Sequence, residues 1–192
     1  LARDNTAVVD LRGRSVLPGF IDAHGHFPGS GQTVFSADLN SPPIGEVTNL
    51  SELLERLIRL AQTRTDGWIV GHGYDDTLLA ERRHPNRDDL DTVASDRPVA
   101  IVHVSGHLVV VNSAGLAILG IDAATPDPEG GVIVRDLSSA GGRRPNGVLE
   151  ETAARAVWEY TLDLSAMDAV RMTTQAAEEY LVVGVTTASA GG

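Results

Sequence analysis

Two histidines separated by one glycine, His24-Gly25-His26, have the types and spacing that most directly suggest chemistry in this sequence. They follow an apolar run at 16–23 that predicts a β-strand. Residues i and i+2 of a strand point to the same side, so both imidazoles can converge on one metal ion. Neutral imidazole is a common zinc ligand, and Gly25 adds no side chain that would crowd the ion. The spacing alone leaves open that these are simply two polar residues at a strand end.

Three further candidate residues lie where other predicted strands end. His72 and Asp75 follow the apolar residues 68–70, and His107 follows a strand predicted over 98–104. At such a position, His107 can contact a substrate or a developing oxyanion. The alternative is a loop histidine bonded to a nearby backbone group. For His72 and Asp75, the alternative is a tight turn marked by the neighbouring glycines.

Other titratable residues are interpreted as structural. His103 lies within an apolar strand and is expected to be a core histidine. His84, beside two arginines, is expected to be solvent-exposed. The acidic pair Asp75-Asp76 is also typical of a solvated face or a helix cap.

The elements that must position these residues alternate between strand and helix. Asn49, with Glu52 three residues later, is a capping pair that predicts a helix start, and Asn112 and Ser165 are predicted caps of later helices. The Pro- and Gly-rich stretch 121–147 predicts an inserted hairpin or lid. Strands are predicted over 7–11, 16–23, 68–72, 98–104 and 184–189, and helices from 49 onwards and over 112–119, 149–160 and 165–183. This order predicts an α/β fold of parallel units with a sheet buried on both faces.

Composition excludes several classes of function. The chain has 192 residues, with 15 basic and 26 acidic side chains and a net charge of −11, which argues against a nucleic-acid partner. Cys is absent, so disulfides, Cys-type zinc sites and thiol nucleophiles are excluded. No stretch approaches the roughly 18 apolar residues that span a bilayer, so no membrane partner is expected. The first residues lack the features of a signal peptide, and the expected compartment is the cytoplasm.

The segment 16–26, Val-Leu-Pro-Gly-Phe-Ile-Asp-Ala-His-Gly-His, resembles the first-strand signature of the amidohydrolase superfamily of metal-dependent hydrolases. Further matches narrow the resemblance to amidohydrolase family 3, which includes N-substituted formamide deformylase-like proteins. They lie at 67–75, 96–99, 105–107 with 112–113, 147–153 and 184–187. Each later motif is weak alone, but six in the family's order make a chance resemblance improbable.

The resemblance implies a TIM barrel with a small β-domain built from the chain ends. Residues 1–14 would be a remnant of the small domain, and 15–192 the first half of a (β/α)8 barrel. The implied reaction is hydrolysis of a non-peptide C–N bond, of amide or formamide type, in a small-molecule substrate. One or two divalent ions, with zinc expected, would lower the pKa of a bound water and polarise the carbonyl.

The resemblance also assigns roles to residues. His24 and His26 match the family's first two metal ligands. From their positions at or near predicted strand ends, His107 and Asp75 are the catalytic candidates, and His72, Tyr74 and Asn112 are the substrate-binding candidates. The remaining ligands and the general base would lie beyond Gly192. The fragment alone is therefore expected to be inactive until the rest of the parent chain, or another protomer, completes the barrel. A truncated or degenerate barrel with a structural or binding role is the alternative.

A second metal ion would need an anionic bridging ligand. Lys is absent, since all 15 basic residues are Arg, so a carboxylated lysine is unavailable, as is a bridging cysteine. Two dications at about 3.5–4 Å require a negative bridge, which leaves Asp or Glu. Glu151 is the predicted bridge because it occupies the acidic position of the 147–153 match. The alternative is that Glu151 caps a helix, and Glu150 could fill either role.

Overall fold

The computed structural model of the chain describes residues 3–137, 143–161 and 164–190, and shows a mixed α/β fold. The tip of the predicted hairpin or lid, at 138–142, lies outside the described residues. The strands are β1 (Phe20–Gly25), β2 (Ala37–Asp38), β3 (Ile69–Tyr74), β4 (Val99–His103), β5 (Leu108–Val111), β6 (Gly131–Leu137), β7 (Arg143–Glu151) and β8 (Val185–Ala190). The helices are α1 (Leu50–Thr63), α2 (Arg87–Asp91), α3 (Ser113–Ile118), α4 (Thr152–Thr161) and α5 (Ala166–Val182), with a 3-10 helix at Gly29–Val34.

The described strands form two sheets. β1 pairs with β8 in parallel, and a six-stranded sheet has the order β2-β3-β4-β5-β7-β6. Within the larger sheet, β2, β3 and β4 are parallel, as the alternation of elements predicted. β6 and β7 pair antiparallel in the region where the sequence predicted an inserted hairpin or lid. The antiparallel pairs β4/β5 and β5/β7 were not predicted. A tight turn with Gly106 at φ +73° folds β5 back onto β4.

Two predicted elements differ from the structure. Residues 149–151 were predicted to begin a helix, but they end β7, and α4 begins at Thr152. Val148 and Leu149 pair with β5 across the sheet, and this long-range pairing outweighs local helix preference. The strand predicted over 7–11 is absent, and those residues are exposed without a partner strand in the described part of the chain.

The core lies on both faces of the six-stranded sheet, as its continuous apolar strands predicted. Along β4, Val99 and Ile101 belong to an apolar cluster that includes Leu53 and Leu57 of α1. The alternate residues Ala100 and Val102 belong to a second cluster, with Leu116 of α3 and Val157 of α4. β1 was also predicted to be buried, but this was wrong for the described residues: Phe20 and Ile21 are 54% and 71% exposed. No helix among the described residues is long and apolar enough to cross a membrane.

All three predicted helix caps are confirmed. The Asn49 side chain accepts a hydrogen bond from the Glu52 amide at 3.0 Å, and Ser165 accepts one from the Asp168 amide at 3.1 Å. Asn112 accepts from the Gly115 amide at 2.9 Å, and α3 ends before Gly120. These contacts span three residues, which is why the sequence alone could predict them.

Replacing Asn112 with alanine should destabilise the fold far more than an ordinary cap substitution. The side chain is fully buried, and its amide makes four hydrogen bonds to the backbone, to the residues Ala94, Arg97, Val99 and Gly115. We expect Asn112→Ala to lower the free energy of unfolding by about 3 kcal/mol, because buried backbone groups lose their partners. The variant Asn49→Ala, at a half-buried cap, should cost about 1 kcal/mol. Urea denaturation measures both, and equal losses would contradict the prediction.

Candidate active site

The two histidines of the His24-Gly25-His26 motif lie at the carboxyl end of β1. His24 belongs to the strand, and His26 makes a single β-bridge to Ala190 at the end of β8. Both side chains are exposed, with ring centroids 6.1 Å apart and ring planes at 79°. Two imidazoles on one zinc at about 2.1 Å have centroids about 5–6 Å apart, so a small side-chain rotation would let both bind one ion. The residues therefore fit a divalent metal.

The carboxylate of Asp22 stabilises the backbone at the end of β1. Tyr180 of α5 donates a hydrogen bond to Asp22 Oδ2 at 2.9 Å, and the His24 amide donates to Asp22 Oδ1 at 3.3 Å. A Cβ at Gly25 would lie 2.2 Å from Asp22 Oδ2 and 3.0 Å from the Tyr180 hydroxyl. Gly25 is thus required for close approach of the carboxylate, and α5 fixes the backbone that carries both histidines.

A second group of titratable side chains lies at the carboxyl ends of β3 and β4. Asp75 and Asp76 directly follow β3, and His103 is the last residue of β4, its parallel neighbour. His103 Nε2 and His84 Nδ1 lie 3.2 Å and 3.5 Å from Asp76 Oδ1. The interpretation of His84 as a solvent-exposed residue was therefore wrong, and His103 is only partly a core residue. The carboxyl ends of neighbouring parallel strands lie at the same edge of a sheet. The order of the strands could therefore have indicated that Asp76 and His103 lie close together.

Two residues predicted to bind substrate, Tyr74 and Asn112, are buried and make contacts within the protein. Tyr74 is fully buried, and its hydroxyl lies 3.2 Å from His84 Nδ1. Burial and the nearby charges of Asp76 and Asp75 raise the pKa of Tyr74, so its hydroxyl stays protonated. All the hydrogen-bonding capacity of the Asn112 amide goes to the backbone. Neither side chain offers a substrate an accessible polar group in this arrangement.

His72 lines a cavity of about 320 Å³ at the end of β3, together with His103, Asn40, Gln32 and Trp158. Its Nδ1 is buried and has no hydrogen-bond partner among the described residues. Burial lowers the pKa of His72 from 6.5 to about 4, because the imidazolium would lose its hydration. His72 is therefore neutral near pH 7.

Acidification should destabilise the protein through His72. Since the folded pKa lies below the unfolded value of 6.5, the unfolded chain binds more protons between pH 6.5 and 4, and stability is lost as the pH falls through this window. Between pH 7 and 5 the loss attributable to His72 should be about 2 kcal/mol. Urea denaturation at both pH values should show a smaller loss for His72→Gln than for wild type. Equal losses would exclude this role.

His107, the third candidate at a predicted strand end, contacts Glu151. His107 Nδ1 lies 3.0 Å from Glu151 Oε2, both side chains are exposed, and the Glu151 amide donates to the His107 carbonyl at 2.8 Å. Glu151 has φ +51°, a left-handed conformation that costs a non-glycine residue about 1 kcal/mol. Within the described ranges, His24, His26 and Glu151 do not form a cluster whose donor atoms could hold one ion. The structure joins Glu151 to His107 instead.

Comparison with solved structures defines the class of protein. Two crystal structures of metal-dependent hydrolases resemble this chain: one from Pyrococcus horikoshii OT3 has a TM-score of 0.57 at 25% identity, and one from Pyrococcus furiosus has 0.55 at 26%. Both comparisons cover 89% of this chain, and 30% and 31% of the solved chains. The fold is therefore shared with part of a metal-dependent hydrolase.

The family follows from sequence comparison. A model of the amidohydrolase family matches residues 7–192, and the chain belongs to that family. The N-substituted formamide deformylase of Arthrobacter pascens is 35% identical over 189 residues, covering 96% of this chain and 34% of the deformylase. These findings confirm the resemblance that the sequence motifs indicated. The chain spans about a third of the length of the relatives it matches.

Proposed function

We propose that this chain forms the first half of the TIM barrel of an amidohydrolase that hydrolyses a non-peptide C–N bond, of amide or formamide type. The observation that carries the proposal is the pair of exposed imidazoles, His24 and His26, at the carboxyl end of β1. Membership of the amidohydrolase family and similarity to a formamide deformylase support it. Active sites of such barrels lie at the carboxyl ends of the strands, which is where these histidines are.

His24 and His26 would hold a divalent ion, with zinc the expected metal. Such an ion supplies a bound water of lowered pKa and polarises the scissile carbonyl. Asp22 and Tyr180 would hold the backbone that carries the two ligands. His72, neutral in its cavity, can accept a hydrogen bond from a substrate amide N–H.

His107 is the candidate donor to the developing oxyanion. Glu151 accepts at Nδ1, which orients the ring and leaves Nε2 for a substrate carbonyl oxygen when the imidazole is protonated. Glu151 also remains the predicted bridge between two ions. The orienting role and the bridging role predict different effects of neutralising its carboxylate. An orienting carboxylate leaves metal uptake unchanged on neutralisation, whereas a bridge does not.

The rest of the site would come from polypeptide outside these 192 residues. A closed barrel needs about 250 residues, and the four candidate barrel strands β1, β3, β4 and β8 cannot close one. The further ligands and the general base would then belong to the remainder of the parent chain or to another protomer. We infer that the chain alone is inactive.

An amide panel with metal removal tests the proposed function. The full-length protein should hydrolyse a member of a panel of N-substituted formamides and matched acetamides, and leave a peptide of similar size intact. Treatment with a chelating phenanthroline should abolish turnover, the non-chelating isomer should not, and added Zn²⁺ should restore it. Turnover that survives metal removal would contradict the mechanism. No turnover of any amide would favour a non-catalytic barrel.

A further inference from the structure

We propose that the cavity at the carboxyl ends of β3 and β4 is a substrate subsite that binds an uncharged polar group, a carboxamide or a hydroxyl, and excludes carboxylates. Its polar wall consists of the side chains of Gln32, Asn40 and His72, and its apolar wall includes Val102 and Trp158. The volume of about 320 Å³ is sufficient for one substituent of a small molecule. This inference rests on the proposed function and deepens it, because it names a group that the substrate carries away from the scissile bond.

The pairing of β3 with both neighbouring strands fixes the position of His72. It lies opposite Asp38 of β2 and opposite Val102 of β4. Its carbonyl also accepts a hydrogen bond from the Leu39 amide at 2.8 Å. Residues that lie opposite each other in a sheet project from the same face, and the face of Val102 carries the apolar cluster against which Trp158 packs. The imidazole therefore lies at the border between the polar wall and the apolar wall.

The accessible nitrogen of His72 can donate or accept a hydrogen bond. Nδ1 is buried and has no partner among the described residues, so Nε2 is the ring nitrogen that a group in the cavity can contact. Burial lowers the pKa of His72 to about 4, so the ring is neutral near pH 7. The single proton of a neutral imidazole makes Nε2 a donor in one tautomer and an acceptor in the other. A carboxamide or a hydroxyl, which has both a donor and an acceptor, matches either tautomer.

The Asn40 amide is already held in place at the polar wall. Its Nδ2 donates to Asp38 Oδ1 at 2.7 Å, and its backbone amide donates to the same oxygen at 3.0 Å. A Cβ on Gly73 would lie 2.4 Å from Asn40 Oδ1, so this close packing requires glycine, which also suits the φ of +91°. Because this amide is ordered without a ligand, binding a polar group beside it has a small entropic cost.

The charges around the cavity disfavour an anion. None of the described residues that line it is Arg, and the chain contains no Lys. His103 also lines it, but its Nδ1 accepts from the Ser105 amide at 3.1 Å and its Nε2 lies 3.2 Å from Asp76 Oδ1. An adjoining cavity that shares the polar wall contains the carboxylates of Asp38 and Glu179. A bound carboxylate would lose hydration here without gaining a cationic partner.

A short connection along the chain links the cavity to the proposed metal ligands. Gln32 belongs to the 3-10 helix Gly29–Val34, which begins three residues after His26. The Gly29 amide donates a hydrogen bond to the His26 carbonyl at 2.6 Å. The segment that follows the second proposed ligand thus forms part of the polar wall. This connection is the reason for assigning the cavity to a substituent of the substrate of the same reaction.

Matched pairs of methanesulfonamides test the subsite by binding, since these compounds replace the formamide with a group that is not hydrolysed. Within a pair, both compounds have an alkyl chain of the same length, and one ends in a carboxamide and the other in a carboxylate. The chain length varies across the series. Calorimetry on the full-length protein should show the best carboxamide binding at least about 10-fold more tightly than its carboxylate partner. Equal affinities, or no binding of either compound at millimolar concentration, would overturn the subsite.

Substitutions in the polar wall locate this preference. His72→Leu should weaken carboxamide binding about 10-fold and leave carboxylate binding unchanged, because it removes a hydrogen bond to the ligand. His72→Gln is the matched control and should keep the preference, since the glutamine amide can place a donor or an acceptor near the position of Nε2. Gln32→Leu is a second variant with the same expected effect. Far-UV circular dichroism checks folding, and an unchanged preference in every folded leucine variant would contradict the proposal.

Hydrolysis assays separate failure of the subsite from failure of the proposed function. Formamides with the same pairs of end groups are the substrates for the full-length protein. Hydrolysis without any preference for the carboxamide would overturn the subsite and leave the proposed reaction standing. A carboxamide preference in binding, together with no hydrolysis of any amide, would contradict the proposed reaction and support the specificity of the cavity.

Discussion

Replacing His24 with alanine in the full-length protein should abolish hydrolysis and remove one equivalent of bound metal. In the proposed site, His24 at the end of β1 and His26 directly after it would each supply one bond to the ion. Changes that only touch a ligand's partner already cost 10–100-fold in affinity or activity, so loss of a ligand should cost at least about 1,000-fold in kcat/KM. Inductively coupled plasma mass spectrometry measures the metal, and steady-state kinetics the activity. His26→Ala should behave the same way.

The control for this experiment is Gly29→Ala. A Cβ at Gly29 would have His26 Cβ as its nearest neighbour, at 3.8 Å, so the change fits the available space near the histidines. It should retain both metal and activity. Wild-type metal content in folded His24→Ala would exclude the ligand role.

Glu151→Gln, measured alongside, separates the two roles open to that carboxylate. Because Glu151 contacts His107 at 3.0 Å, an orienting role predicts full metal content with a lower kcat. A bridging role predicts loss of metal as well.

Local contacts explain how much of the fold could be predicted. The caps Asn49, Asn112 and Ser165 bond to amides three residues away, so residue type and spacing were sufficient. The strand end that carries His24 was also visible as the limit of an apolar run, whereas His103, the last residue of β4, was interpreted as lying within its strand. In contrast, β7 depends on pairing with β5, about 40 residues earlier in the chain, and no local pattern encodes that partner.

In the candidate site, too, local relations between residues could be predicted and long-range contacts could not. The sequence placed His24 and His26 together because their relation is a two-residue spacing. It missed the contacts of Asp76 with His84 and His103, since these depend on the register between β3 and β4 and on the turn after Tyr74. The apolar neighbours of His103 favoured a core residue, although its position at the end of β4 was the feature that mattered.

The 192-residue chain by itself should associate and show no hydrolysis. Its β1/β8 sheet and α5 carry large apolar side chains at the surface, among them Ile21 at 71% and Val182 at 86% exposure. Contiguous exposed apolar surface and open strand edges promote association. In the proposed barrel, the polypeptide that completes the site would also cover this surface.

Light scattering and a hydrolysis assay should therefore separate the isolated chain from the full-length protein. The isolated chain should form concentration-dependent oligomers and give no turnover, whereas the full-length protein should be monodisperse and active. Val182→Thr should reduce association of the isolated chain by removing apolar surface from α5. Val8→Thr is the matched control, because Val8 is 85% exposed but lies before β1, outside that face. A monomeric isolated chain with full turnover would show that these residues already contain a complete active site.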